Sequence, residues 1–109
     1  YLTKIYNFAK DIVTKLGGNP HTSTCYGALG DILLTCNSKT SRNYSYGVLL
    51  YTNKNEADVY KKHYTVEGSI AITSLAKLLR KNNQTSFFIE KLTEYFNGAI
   101  SLDEVLELF

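Results

Sequence analysis

The sequence of 109 residues contains no methionine, one proline and only two cysteines. No apolar run approaches the roughly 18 residues that a membrane-spanning helix needs, so no span is predicted. Twelve basic residues stand against ten acidic ones, and the resulting net charge of +2 is too small to indicate a nucleic acid or a membrane surface as partner. The length is that of one compact domain and excludes a complete two-domain enzyme.

The composition nevertheless supports a folded core. Hydrophobic residues make up 44% of the chain and charged residues 20%, which excludes a disordered segment or a disulfide-dependent mini-protein. The chain begins at Tyr1 without an initiator methionine or a signal peptide, so we expect further sequence upstream and a cytoplasmic location. Cys25 and Cys36 are then expected to be free thiols, mostly buried.

The spacing of the apolar residues predicts an all-α fold without strands. In the second helix, Leu29, Ile32, Leu33 and Cys36 recur at the spacing of one buried face. The first two predicted helices run from Leu2 to Leu16 and from Gly27 to Asn37. The third begins at a Ser41 cap and continues through Tyr44, Val48 and Tyr51, and the fourth runs from an Asn53 or Asn55 cap to Lys62. The last three run from Glu67 to Lys81, from Phe88 to Phe96, and from a Ser101 capping box to Phe109.

Local signatures of catalysis or metal binding are absent from the sequence. His21 and His63 have no Cys or carboxylate at metal-ligand spacing, which argues against a zinc site. The sequence also lacks G-x-G-x-x-G, P-loop and G-x-S-x-G motifs. Nine scattered tyrosines fit core packing better than stacking on nucleic acid.

A carboxylate interrupts the apolar run of the second helix. Asp31 and Thr35 are four residues apart, so they share a face that differs from the apolar one. Two interpretations are open: Asp31 is satisfied by first-turn N–H groups of the helix, or it is a buried acceptor that orients a hydroxyl group.

The run Ser41-Arg42-Asn43 opens the third helix and contains one of only two arginines. An arginine fork beside the N–H groups of a helix N-terminus suits a phosphate or another oxyanion. The alternative is a surface arginine behind an ordinary serine cap. Glu67, before Gly68, is a third candidate, although carboxylates are common in first helical turns for dipole reasons.

Three motifs together carry a family resemblance. They are Gly27-Ala28-Leu29-Gly30-Asp31-Ile32-Leu33-Leu34-Thr35-Cys36, then Ser41-Arg42-Asn43 with Gly47, and then Val66-Glu67-Gly68. In this order and spacing they resemble the C-terminal domain of bacterial NAD(P)-dependent glycerol-3-phosphate dehydrogenase. The resemblance extends over the first helix and the Gly17-Gly18-Asn19-Pro20 turn, and so over essentially the whole chain.

The resemblance implies a multi-helix substrate domain like the C-terminal domain of 6-phosphogluconate dehydrogenase-type enzymes. Such a domain would pack on an N-terminal Rossmann domain, absent here, that holds most of the NAD or NADP. The substrate would be sn-glycerol 3-phosphate or dihydroxyacetone phosphate. Substrate contacts would come from Asp31, Thr35, Ser41, Arg42 and Asn43, and cofactor contacts from Arg42, Thr65, Val66 and Glu67.

The resemblance also implies that the proton-transferring lysine lies upstream, since no lysine here, including Lys4, stands in the family's lysine motif. We therefore expect the chain to be inactive alone, and a homodimer is possible. Two alternatives stay open: a non-catalytic helical interaction or dimerisation module, and a dehydrogenase of the same superfamily acting on another hydroxy acid.

Overall fold

The computed structural model of the chain describes residues 2–109, and that part is helical without strands. The all-α prediction is therefore confirmed. The elements are α1 (Leu2–Lys15), a 3₁₀ helix (Pro20–Thr24), α2 (Tyr26–Asn37), α3 (Arg42–Thr52), α4 (Lys54–His63), α5 (Glu67–Lys81), α6 (Phe87–Phe96) and α7 (Leu102–Leu106). None of these helices is long and apolar enough to cross a membrane.

Side-chain caps set the beginnings of three helices. The Ser41 hydroxyl accepts from the Tyr44 N–H at the start of α3, and the Asn53 carboxamide accepts from the Glu56 N–H at the start of α4. Ser101 and Glu104 form the predicted capping box of α7. The structure thus identifies Asn53, and not Asn55, as the N-cap of α4.

Residues with positive φ end three helices. Gly17 after α1 and Gly98 after α6 have φ of 81° and 77°, and Asn83 after α5 has φ of 55°. At each end the N–H group of this residue and that of the next residue donate to carbonyls of the last turn, as in a Schellman motif. This geometry ends the helix and turns the chain toward the next element.

The interior is divided into two clusters. The first contains Tyr46, Ala57 and Val66, which join α3, α4 and the start of α5. The second joins α5 and α6 and is covered by α1; its buried members are Ala76, Leu79 and Ile89.

An aromatic group closes the α1 side of the second cluster. The rings of Phe8 and Phe88 are stacked with centroids 4.3 Å apart, and Phe109 meets both rings edge-on. The first and last helical segments are thereby held together.

The second helix departs from the prediction. No residue of α2 is buried, and Leu29 and Leu33 remain 38% and 44% exposed. The expectation of one buried face was wrong because α2 packs mainly on the 3₁₀ helix and only slightly on α3. Cys25 and Cys36 are free, as predicted, but both are exposed rather than buried for the same reason.

Tyr46 of the first cluster and the neighbouring Tyr95 lie near a carboxylate. Tyr46 and Tyr95 line one cleft together with Asp58. Burial raises the pKa of both phenols, and the Asp58 charge raises both further, because the phenolate form is disfavoured by desolvation and by a neighbouring anion.

The raised pKa of Tyr46 predicts a loss of stability in alkali. The unfolded phenol ionises near pH 10.0, whereas the folded phenol still holds its proton, so unfolding releases a proton and stability falls as pH rises above 10.0. We expect Tyr46→Phe to flatten this decline in urea unfolding curves. The exposed Tyr51→Phe is the matched control and should keep the wild-type slope; an equal effect of both changes would contradict the assignment.

The glycine at the end of α1 provides a second stability test. Gly17 has a positive φ and open space around it, so Gly17→Ala should destabilise the chain by about 1 kcal/mol through backbone strain alone. Gly30, inside α2 and equally free of neighbours, is the control: Gly30→Ala should stabilise by up to about 1 kcal/mol. In thermal unfolding, we expect Gly17→Ala to lower the melting temperature and Gly30→Ala to raise it. A stabilising Gly17→Ala would contradict the positive φ assigned to this residue.

Candidate functional site

The beginnings of α3 and α5 meet at one hydrogen bond. The carboxamide oxygen of Asn43 accepts from the Gly68 N–H at 3.0 Å, across 25 positions of sequence. Val66, the residue preceding α5, offers no side-chain cap of its own. Asn43 therefore caps α5 from α3, and the two helix N-termini are held side by side.

Glycine at position 68 leaves room for this contact. A Cβ atom there would lie 2.9 Å from the Asn43 carboxamide oxygen, closer than a normal carbon–oxygen contact. The carboxamide would have to shift, and its hydrogen bond would be weakened. The Val66-Glu67-Gly68 motif thus has a local structural reason.

A small cleft of about 210 Å³ opens at the junction, lined by Arg42, Asn43, Thr65 and Glu67. Arg42 and Glu67 are exposed, and Arg42 makes no ion pair with any residue that the structure describes. The other arginine, Arg80, is paired with Glu90. The guanidinium of Arg42 is thus available to a ligand.

The electrostatics of the cleft favour an anion on one side. Each helix N-terminus contributes unpaired N–H groups and the positive end of its dipole, and Arg42 adds a full positive charge. Glu67 lines the same cleft and adds an acceptor, which suits a hydroxyl or an amide rather than a phosphate. The cleft can therefore bind a small polar molecule that carries both an anionic and a hydrogen-donating end.

The predicted substrate residues are divided between two surfaces. Thr35 and Ser41 line a separate apolar groove, and Asn43 borders both the groove and the cleft. The Ser41 hydroxyl is already engaged as the α3 cap. The Val66 side chain is buried in the first cluster, so only its backbone is left for a ligand.

The structure overturns one of the two interpretations of Asp31. Asp31 lies in the middle of α2 and is exposed. The first-turn interpretation is wrong because α2 begins at Tyr26. No element of the described chain buries Asp31, and its role toward a hydroxyl group stays a prediction. The shared face with Thr35 is confirmed, since the Thr35 hydroxyl donates to the Asp31 backbone carbonyl at 2.7 Å.

One role was missed from the sequence: Asn43 as the cap of another helix. The available signal was the start of α5, where Val66 stands at a position that usually holds Ser, Thr, Asp or Asn. A helix start without its own capping side chain leaves N–H groups that a residue from another element can satisfy. No group of three or more His, Cys, Asp or Glu residues in positions 2–109 is arranged to hold a metal ion.

Comparison with known proteins gives a match over nearly the whole chain. Residues 1–107 match the family described as NAD-dependent glycerol-3-phosphate dehydrogenase C-terminus. The chain belongs to this family. The match includes all three motifs and both helix N-termini of the cleft.

Curated relatives of the dehydrogenase family carry the name glycerol-3-phosphate dehydrogenase [NAD(P)+]. The one from Gluconobacter oxydans is 34% identical over 93 residues, covering 84% of this chain and 29% of the relative. The one from Brucella ovis is 32% identical over 91 residues, covering 84% of this chain and 27% of the relative. The chain thus spans less than a third of these relatives' length. No solved structure matches it.

The Asn43 contact predicts a non-additive pair of substitutions. Asn43→Ala should destabilise the chain by about 1 kcal/mol because the Gly68 N–H loses its acceptor. Gly68→Ala should destabilise the wild type in the same way, yet stabilise the Asn43→Ala background, where only the better helix propensity of alanine remains. A double-mutant cycle from urea unfolding measures this, and additive effects would contradict the cap.

Proposed function

We propose that this chain is the substrate-binding part of a glycerol-3-phosphate dehydrogenase, which interconverts sn-glycerol 3-phosphate and dihydroxyacetone phosphate with NAD or NADP. The observation that carries the proposal is the unpaired Arg42 at two adjoining helix N-termini. Family membership and the relatives' names support it. We further propose a cytoplasmic role in supplying glycerol 3-phosphate for glycerophospholipid synthesis.

The phosphate of the substrate is assigned to the Arg42 side of the cleft. The guanidinium can donate two parallel hydrogen bonds to phosphate oxygens, which a lysine cannot do. Asn43 is held by Gly68, and its amide N–H₂ remains free to donate to a ligand in the cleft. A three-carbon phosphate suits a space of about 210 Å³, which is below the roughly 300 Å³ of ordinary small-molecule pockets.

The cofactor is assigned only an edge contact with this chain. The same small volume cannot enclose a dinucleotide, so Arg42, Thr65, Glu67 and the Val66 backbone would touch one end of it. When bound, NAD(P) supplies or accepts the hydride. The choice between NAD and NADP would be made by the Rossmann domain.

Asp31 and Thr35 are assigned to the substrate hydroxyl region and to the orientation of the catalytic lysine. The Asp31 carboxylate is exposed, so it is open to a group brought by another part of the enzyme. Because the general base is expected outside this chain, the chain alone should not oxidise NAD(P)H with dihydroxyacetone phosphate. The chain joined to the amino-terminal part of the Gluconobacter relative should oxidise NAD(P)H with dihydroxyacetone phosphate.

Calorimetry with glycerol 3-phosphate tests the assignment directly. Arg42→Ala should weaken binding by about tenfold or more, since charge-assisted hydrogen bonds contribute roughly 1.5–3 kcal/mol. Arg80→Ala is the matched control, because it removes the other arginine, which is paired with Glu90 away from the cleft.

Glycerol, which lacks the phosphate, serves as the control ligand and should bind far more weakly than glycerol 3-phosphate. Equal losses from both arginine substitutions would show that the effect is one of general charge. Equal affinities for glycerol and glycerol 3-phosphate would contradict the assignment of the phosphate to the Arg42 side of the cleft.

A further inference from the structure

A second cleft lies between α3, α4 and the turn from α6 to α7. We call it the tyrosine cleft, and its titratable lining residues are Tyr46, Lys54, Asp58, Lys61 and Tyr95. Its volume is about 400 Å³, which lies within the range of ordinary small-molecule sites. It shares no lining residue with the cleft at Arg42, so the proposed function gives it no role.

The hydroxyl of Tyr46 is the feature that points to a ligand. Tyr46 is only 6% exposed, and its hydroxyl has no hydrogen-bond partner among the described residues. Every buried side-chain nitrogen or oxygen atom of the described residues does have a partner, so this hydroxyl is not enclosed by protein. It therefore opens into the cleft that Tyr46 lines. The chain thus buries the ring and presents its polar end to a ligand.

Tyr95 brings a second hydroxyl to the same cleft. It too has no hydrogen bond to a described residue. Burial raises the pKa of both phenols and the Asp58 charge raises both further, so the two hydroxyls keep their protons and can donate. Neither of them donates to Asp58, which leaves both donors and the carboxylate available.

Three charged side chains of α4 border the cleft. Lys54 precedes Asp58 by four positions and Lys61 follows it by three, so the three residues share one helix face. This spacing permits lysine–aspartate pairs, yet none of the three forms an ion pair with a residue that the structure describes. One carboxylate and two ammonium groups are therefore available to a ligand.

Apolar side chains complete the lining. Leu50 of α3, Phe96 of α6 and Ile100 in the following turn are partly buried and border the cleft. The rings of Tyr95 and Phe96 meet edge-on, with centroids 5.2 Å apart. A ligand can therefore bury an apolar group against these side chains while its charges meet those of α4.

We propose that the tyrosine cleft binds an α-amino acid with a large apolar side chain. The ammonium group would meet Asp58, the carboxylate would accept from a lysine and from the Tyr46 hydroxyl, and the side chain would lie against Leu50 and Phe96. A ligand that carried only anionic groups would leave Asp58 unpaired, and one that carried only a cation would meet two lysines. The zwitterion matches both signs of charge and also uses the apolar walls.

Calorimetry with L-phenylalanine and L-leucine tests the proposal on this chain. The matched ligands are 3-phenylpropionate, which lacks the ammonium group, and 2-phenylethylamine, which lacks the carboxylate. L-Phenylalanine should bind at least tenfold more tightly than either, because each of them loses one charge-assisted interaction. The proposed function is not tested by this experiment, since neither glycerol 3-phosphate nor NAD(P) is present.

Conservative substitutions locate the ligand. Asp58→Asn should weaken L-phenylalanine binding by about tenfold or more and leave 3-phenylpropionate binding unchanged. Tyr46→Phe keeps the buried ring and removes only the hydroxyl, so it should weaken binding about threefold to tenfold. Asp11→Asn and Tyr51→Phe are the matched controls, because both residues are exposed and lie outside the cleft. Both controls should keep the wild-type affinity.

Four results would overturn the proposal. The first is no binding of either amino acid at millimolar concentration, and the second is equal binding of L-phenylalanine and its two matched ligands. The third is an unchanged affinity for L-phenylalanine in an Asp58→Asn variant that thermal unfolding shows to be folded. The fourth is loss of L-phenylalanine binding in Arg42→Ala, which would assign the ligand to the other cleft.

Discussion

The hydrogen bond from the Gly68 N–H to the Asn43 carboxamide holds the candidate site together. Without it, the Gly68 N–H near the start of α5 would lose its acceptor, and only the packing of Val66 in the first cluster would hold the start of α5 near α3. With it, Arg42 and Glu67 face the same cleft from two helices that are distant in sequence. The bond thus caps α5 and also brings Arg42 and Glu67 to the same cleft. Glycine at position 68 leaves room for the Asn43 carboxamide that accepts it.

The two buried clusters support this geometry from behind, whereas α2 has no such support within the chain. The first cluster, which contains Tyr46, adjoins the cleft, because Val66 belongs to the cluster and its neighbour Glu67 lines the cleft. α2 contributes to neither cluster, although its sequence is strongly apolar. The cleft residues therefore have a packed support within the chain, whereas Asp31 and Thr35 depend on contacts that the chain itself does not supply.

Local signals in the sequence were sufficient for the helices and most of their caps. Ser41 and Ser101 cap their helices as predicted, and Asn53 is one of the two caps that the sequence offered for α4, because a cap is decided within four residues. The burial of Leu29, Leu33 and Cys36 was predicted wrongly, because periodicity shows which residues share a face and not what covers it. The role of Asn43 at Gly68 could not be assigned, because a contact across 25 positions leaves no local pattern.

The stacking of Phe8 on Phe88, with Phe109 against both rings, also affects the kinetics of folding. Most other packing joins helices that are neighbours along the chain, such as α3 with α4 and α5 with α6, and such local contacts form quickly. The phenylalanine group instead unites the two extremes of the polypeptide, so the entropy of closing a loop of nearly the whole chain opposes it. Docking of α1 is therefore expected to be the last and slowest event of folding.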